Sequence, residues 1–246
     1  MTVETTVAPP LVLVHSPLVG PSTWRPVAEL LRRAGRSAEL ADLTETVSGD
    51  PPYVPRQVAA VLDSVAGRDA DPRVPVVLVA HSGAGPLLGA VGEALGEVAG
   101  YVFVDAGLPT PGRSTLATAP PEFADLLHEM ESEGVLPPWA LWWGEDGLAE
   151  LLPDPEQRDR FAAECRPLPL AMFEEEHPAA PHWPDAPCAY LRLSTAYADA
   201  AAEARRRGWP CTELDAHHLA MLTQPEQVVD VLLGLLGRMT TPGRPG

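Results

Sequence analysis

The chain has 246 residues and a formal charge of −17. A field of that sign repels nucleic acid, anionic membranes and acidic carrier proteins, so the expected partner is a small molecule. All 17 basic residues are arginine, which excludes any chemistry that needs a lysine, such as a Schiff base.

The length fits one domain with a single large core. No apolar run approaches the ~20 residues of a bilayer span. Residues 1–10 are acidic and polar and carry no signal-peptide pattern. The three cysteines, Cys165, Cys188 and Cys211, stand at unrelated spacings. They fit a cytoplasmic location rather than a disulfide framework or a metal knot. No cofactor or metal is expected. The oligomeric state is open, with a dimer among the options.

In chain order, residues 11–15 (Leu-Val-Leu-Val-His) form a short apolar run between prolines, as a buried parallel strand does. Ser22 can cap a helix that runs through Trp24, Val27, Leu30 and Leu31 to Gly35. Residues 37–43 are a weaker strand, and 48–55 a Pro/Gly-rich loop. Residues 57–66 read as a helix with Val58, Val61, Leu62 and Val65 facing inward. A strand over 76–80 leads through His81-Ser82 into a helix over 83–96. Residues 100–105 are the next strand.

Between 107 and 187 the pattern breaks, with many prolines, tryptophans and acids. Helices are expected over 122–133, 139–151 and 155–165. Eighty residues of plain loop are implausible in a compact domain, so this segment reads as a helical lid inserted into the domain. The sheet resumes at 188–193, followed by a helix over 196–207, a last strand at 209–214 and a last helix at 225–236. Residues 240–246 are expected to be disordered. Alternating strands and helices predict a mostly parallel sheet covered on both faces.

Ser82 stands where a buried strand turns into a helix, with Ala80 and Ala84 small enough for a tight turn. That is the layout of a nucleophile elbow. A serine hydroxyl needs a base, an acid that orients the base, and donors for the oxyanion. His217 and His218 lie just after the last strand, before Pro225. Asp105 ends the strand that follows Ser82, and Asp199 follows the strand after that.

With these residues in the order Ser, Asp, His, the chain resembles the α/β-hydrolase superfamily in its smaller plant-esterase-like and lactonase-like members. The resemblance implies an α/β-hydrolase fold over residues 1–246, six parallel strands ordered 2-1-3-4-5-6 without the N-terminal hairpin common in the family, and a lid over 107–187. It implies Ser82 as nucleophile and His218, seven residues before Pro225, as base. Most members carry the acid where Asp199 lies. Some carry it one strand earlier, where Asp105 ends a buried strand and needs a partner; Asp105 is preferred, with Asp199 the alternative.

Gly83 N–H is the expected first oxyanion donor. The loop 15–20 resembles the family's His-Gly-x loop, but the donating position is Pro17, which has no N–H. Ser16, by its hydroxyl, and Leu18, by its N–H, are the candidate substitutes. His81, Trp142 and Trp143 are candidate pocket residues.

The implied reaction is acyl transfer from a small or medium apolar ester, thioester or lactone. Loss of an oxyanion donor keeps open a lyase or cyclase that uses His218 as base. Two blander readings stand beside these. Gly83, Gly85 and Gly89, with Asp105 downstream, approach a dinucleotide fingerprint, and a non-catalytic ligand-binding module on the same fold needs no triad. Singly, Ser82 serves as a helix cap, His218 as a loop histidine, and the run Glu174-Glu175-Glu176-His177 as a solvated face. His15 reads as a structural histidine that bonds loop backbone.

Overall fold

The structure is a computed structural model; it describes residues 8–68, 71 and 73–239, leaving the Glu145 side chain aside. Six strands form its main sheet: β1 (Leu11–Val14), β2 (Ala38–Ala41), β3 (Val77–His81), β4 (Gly100–Val104), β5 (Cys188–Arg192) and β6 (Cys211–Glu213). They are parallel and ordered β2-β1-β3-β4-β5-β6, the order expected from the sequence. The central strands β1, β3 and β4 are buried along their whole length, which is why they read as unbroken apolar runs.

Alternate residues of each strand feed two cores. Val12, Val14, Leu78 and Phe103 pack on helices α2 (Val54–Ala66), α3 (Leu88–Leu95) and α7 (Ala198–Arg206). Leu11, Leu13, Val79 and Val102 pack on α1 (Arg25–Arg33) and α8 (Pro225–Arg238).

Residues 105–187 lie between β4 and β5 and hold α4 (Pro121–Met130), α5 (Gly144–Leu151) and α6 (Pro155–Glu164). The sequence showed no strand here, yet Val135–Leu136 pairs antiparallel with Leu168–Pro169. At two residues each, these strands are too short to show a period. The segment packs Leu127, Trp139, Phe161 and Phe173 against Leu18, Val19, Tyr53, Leu219 and Leu222 of the sheet domain.

Two carboxylates also tie it down. Glu164 Oε2 accepts from Ser22 N (2.9 Å). Glu175 accepts from Tyr53 N (2.6 Å) and Val54 N (2.9 Å) at the start of α2, where unpaired N–H groups favour an anion. Glu174 and Glu176 are exposed, as a solvated face requires, but Glu175 docks the segment and His177 is buried, which corrects that expectation for these two residues.

Other boundaries also differ. Ser22 sits inside a 3-10 turn (Pro21–Thr23) and does not cap α1 with its side chain. Helix α2 begins at Val54, inside the expected loop, because Pro55 is well suited to a first helical turn. The 3-10 stretch Ser82–Leu87 precedes α3. The expectation for residues 240–246 lies outside the described residues. No helix among the described residues is long and apolar enough to cross a membrane.

Candidate active site

In the register of β3 and β4, His81 pairs with Val104. The next residues, Ser82 and Asp105, therefore leave adjacent strands side by side. Both are left-handed, with φ of 55° and 43°. For a non-glycine residue this costs on the order of 1–3 kcal/mol and clusters at functional sites.

The two turns brace each other. Gly107 N donates to Ser82 O (3.3 Å). A Cβ on Gly85 would lie 2.0 Å from the Gly107 carbonyl oxygen, so only glycine fits there.

Asp105 is fully buried and accepts four hydrogen bonds. Its Oδ1 takes the N–H groups of Leu193 (2.9 Å) and Ser194 (3.0 Å). Its Oδ2 takes the Ser194 hydroxyl (2.6 Å) and His218 Nδ1 (2.7 Å). Burial alone would raise the carboxyl's pKa. The hydrogen bonds from His218, Ser194 and Leu193 outweigh it and hold the group below its usual range. Asp105 thus stays an anion and fixes the proton of His218 on Nδ1. Asp199 is exposed in the first turn of α7, away from this cluster.

His217 turns the other way. Its Nδ1 accepts from Leu219 N (3.2 Å) and its Nε2 meets the Thr223 hydroxyl (2.9 Å). His15 braces the first loop: its Nδ1 donates to Ser16 O (2.7 Å) and its Nε2 accepts from Leu43 N (2.9 Å).

That loop faces Gly83. Ser16 is buried, and a Cβ on Gly83 would lie 3.0 Å from Ser16 Oγ. Pro17 occupies the second position of the turn closed by Val19 N and Ser16 O (3.1 Å), a position suited to proline. Leu18 N donates to Ser16 Oγ (3.3 Å). The Leu18 donor is therefore engaged, while the Ser16 hydroxyl proton is not used in that bond. The Gly83 N–H lies in the first turn of its helix, where no intrahelical partner exists.

His81 packs on His218, with ring centroids 4.4 Å apart, and its Nε2 donates to the His218 carbonyl oxygen (3.0 Å). Burial, reinforced by the neighbouring imidazole, holds His81 well below its usual pKa. It is a neutral brace under His218.

Of the tryptophans, Trp139 is the one whose ring reaches His218, at 6.3 Å. The expected pocket residues Trp142 and Trp143 make no ring contact with His218 among the described residues. Trp142 binds Pro137 O (2.8 Å) and packs on Phe123, while Trp143 turns out to solvent. Both lie on the same short turn as Trp139, and the sequence carried no signal of which one faces in. Tyr197 was not anticipated at all. Its hydroxyl lies 3.0 Å from Ser82 Oγ, and its ring lies nearly parallel to His218 at 5.3 Å. Among the described residues, the Ser82 side chain is hydrogen-bonded to Tyr197 and not to His218.

The dinucleotide reading does not stand. A Cβ on Gly89 would meet Pro109 and Ala180 within 3.3 Å, so Gly85 and Gly89 pack on protein rather than leave room for a pyrophosphate, and Asp105 is already committed to His218.

Fold and site together define a class, a doubly covered parallel sheet with Ser82, Asp105 and His218 gathered at the strand ends. A model of the alpha/beta hydrolase family matches residues 11–231, and the chain belongs to that family. No curated protein sequence matches it. Among solved structures, an extracellular α/β-hydrolase from a Paenibacillus species superposes with a TM-score of 0.74 at 17% identity, covering 93% of this chain and 99% of that one. It is described as sharing structural and functional homology with tobacco salicylic acid binding protein 2. A pyrethroid hydrolase from Sphingobium faniae gives 0.70 at 18% identity, with 94% and 98% covered. Tomato methylketone synthase I, complexed with 2-tridecanone, gives 0.70 at 16%, with 95% and 100% covered. At these identities the likeness is one of fold.

Proposed function

We propose that the protein transfers acyl groups through Ser82, hydrolysing a small or medium apolar ester, thioester or lactone, or passing its acyl group to a hydroxyl. The observation that carries this reading is the 2.7 Å bond from His218 Nδ1 to a buried, anionic Asp105, set beside a left-handed Ser82 on the adjacent strand. With Nδ1 held, Nε2 of His218 takes the seryl proton as Oγ adds to the carbonyl carbon. The oxyanion receives the Gly83 N–H and the Ser16 hydroxyl, the latter standing in for the N–H that Pro17 lacks. The bond from that carbon to the leaving oxygen or, in a thioester, sulfur then breaks, the departing atom takes the proton from His218, and water or an acceptor hydroxyl repeats the sequence on the acyl-enzyme, restoring Ser82.

The helices inserted between β4 and β5 act as a lid, with Trp139 over the base. Ser82 is only 8% exposed, so substrate entry requires this cover to shift. The free cysteines suit a reducing compartment such as the cytoplasm.

A fluorophosphonate probe tests the reading: a stoichiometric adduct on Ser82, absent in Ser82→Ala, is expected. An unlabelled Ser82 in folded protein, or full turnover by Ser82→Ala, defeats it. A second reading draws on Pro17, because a lyase or cyclase that uses His218 as base forms no tetrahedral oxyanion and tolerates the missing N–H. Solvent oxygen appearing in an acid product rules that out.

A further inference from the structure

Tyr197 has no part in the scheme above, yet its hydroxyl is the group bonded to the nucleophile. The residue ends a one-turn 3-10 helix, Thr195–Tyr197, between β5 and α7. That turn has a fixed origin, because Ser194 gives both its N–H (3.0 Å) and its hydroxyl (2.6 Å) to Asp105. From there the tyrosine ring reaches across the face of the His218 imidazole, 5.3 Å away and 8° from parallel, and its hydroxyl lies 3.0 Å from Ser82 Oγ. Burial pushes the phenol up to about 12, against the pull of the Ser82 hydrogen bond. It is therefore a neutral O–H donor across the neutral range.

Two groups flank the leaving oxygen of a tetrahedral adduct on Ser82: Oγ, bonded to the same carbon, and the imidazole that must protonate it. The Tyr197 hydroxyl is beside the first, and its ring lies against the second. The oxyanion, by contrast, belongs to Gly83 and Ser16.

We infer that Tyr197 is a further catalytic residue, whose hydroxyl moves from Ser82 Oγ to the leaving-group oxygen as the adduct collapses and so favours substrates whose alcohols leave poorly. The inference rests on acyl transfer through Ser82. In the step, the carbon–oxygen bond breaks, its electron pair leaves on the alkoxide oxygen, and His218 supplies the proton. Tyr197 keeps its own proton and only donates a hydrogen bond, strongest where charge on the leaving oxygen is largest.

The test is Tyr197→Phe, which keeps the ring and its stacking, assayed on two butyrate esters that share an acyl group. With 4-nitrophenyl butyrate, whose phenolate leaves readily, kcat is expected to fall less than about 3-fold. With ethyl butyrate it is expected to fall about 10- to 100-fold, as loss of a hydrogen bond to a developing anion implies, with KM nearly unchanged. Equal losses on both esters mean that the tyrosine merely positions His218, and they overturn the inference, as does no loss on either. Ser82 labelling in the same preparations separates the two failures. An intact Ser82 adduct with equal losses overturns only the role of Tyr197, whereas a missing adduct in the folded wild type overturns acyl transfer as well.

Discussion

Asp105→Asn isolates what the buried carboxylate does for His218. All four groups around Asp105 are donors in the native arrangement: the N–H groups of Leu193 and Ser194 on Oδ1, the Ser194 hydroxyl and His218 Nδ1 on Oδ2. An amide offers one acceptor and one donor end. The two backbone N–H groups cannot turn, so the amide oxygen stays with them and its NH2 faces Ser194 Oγ and His218. The serine hydroxyl rotates and accepts. His218 accepts only by moving its proton from Nδ1 to Nε2, and that tautomer cannot take a proton from Ser82. Holding the base in the wrong tautomer costs about 10⁴-fold in kcat, or about 5.5 kcal/mol at 1.36 kcal/mol per decade. The stability effect is smaller. A hydrogen bond to a charged group contributes about 1.5–3 kcal/mol, and removing a buried charge offsets part of its loss. The melting temperature should thus fall by only a few degrees. Stopped-flow release of 4-nitrophenol from 4-nitrophenyl butyrate, with a thermal melt beside it, measures both. A folded Asp105→Asn protein that keeps more than a tenth of wild-type kcat refutes the tautomer argument.

Gly85→Ala forces a Cβ to within 2.0 Å of the Gly107 carbonyl oxygen, a backbone atom with no freedom to retreat. A destabilisation of about 2 kcal/mol or more is expected, seen as a fall of ~4–8 °C in melting temperature; an unchanged melt contradicts the brace between the two turns. Burial holds His81 and His177 below their usual pKa, helped at His81 by the His218 imidazole and opposed by the Asp105 and Glu175 carboxylates. The unfolded chain therefore takes up protons first. Stability contributed by the two neutral rings is complete above about pH 6.5 and is lost as pH falls from there towards their folded values, by up to ~1.4 kcal/mol per pH unit for each ring. Urea midpoints between pH 5 and 7.5 check this, and His177→Gln should shallow the slope; a flat profile would count against it. Ser16→Ala should lower kcat about 10²-fold with KM little changed, the cost of one oxyanion donor; undiminished turnover would transfer that role to Leu18 N–H.

The sheet was legible because a parallel strand buried on both faces needs an unbroken apolar run, and β1, β3 and β4 each supply one. The positions of Ser82 and His218 were legible because each follows a strand, where the chain turns at the end of the sheet. Other features depend on contacts far apart in sequence. Asp105 and Asp199 could be ranked only by the cost of an unpaired buried carboxylate. Glu175 looked solvated because its partners, Tyr53 N and Val54 N, lie 122 and 121 residues away. Trp139 was not separable from Trp142 and Trp143, since all three share one turn.

Tyr197 was invisible for a related reason, and the placement of the acid explains why it is there. Most relatives are expected to carry the acid after the strand that is β5 here, and the end of that strand would then be occupied by it. In the scheme proposed for this chain the acid is Asp105 at the end of β4, and the end of β5 holds that carboxylate instead, through Leu193 N, Ser194 N and Ser194 Oγ. Those bonds pin the start of the next turn while leaving its third residue free to reach inward. One carboxylate thus holds His218 directly and, through Ser194, holds the turn that lays Tyr197 against His218 and beside Ser82. Asp105→Asn and Tyr197→Phe should therefore be non-additive on ethyl butyrate. Once the histidine holds its proton on Nε2, the tyrosine hydroxyl has no collapsing adduct to assist, and the double variant should lose little more than Asp105→Asn alone. Strictly additive losses would mean that the two residues act separately.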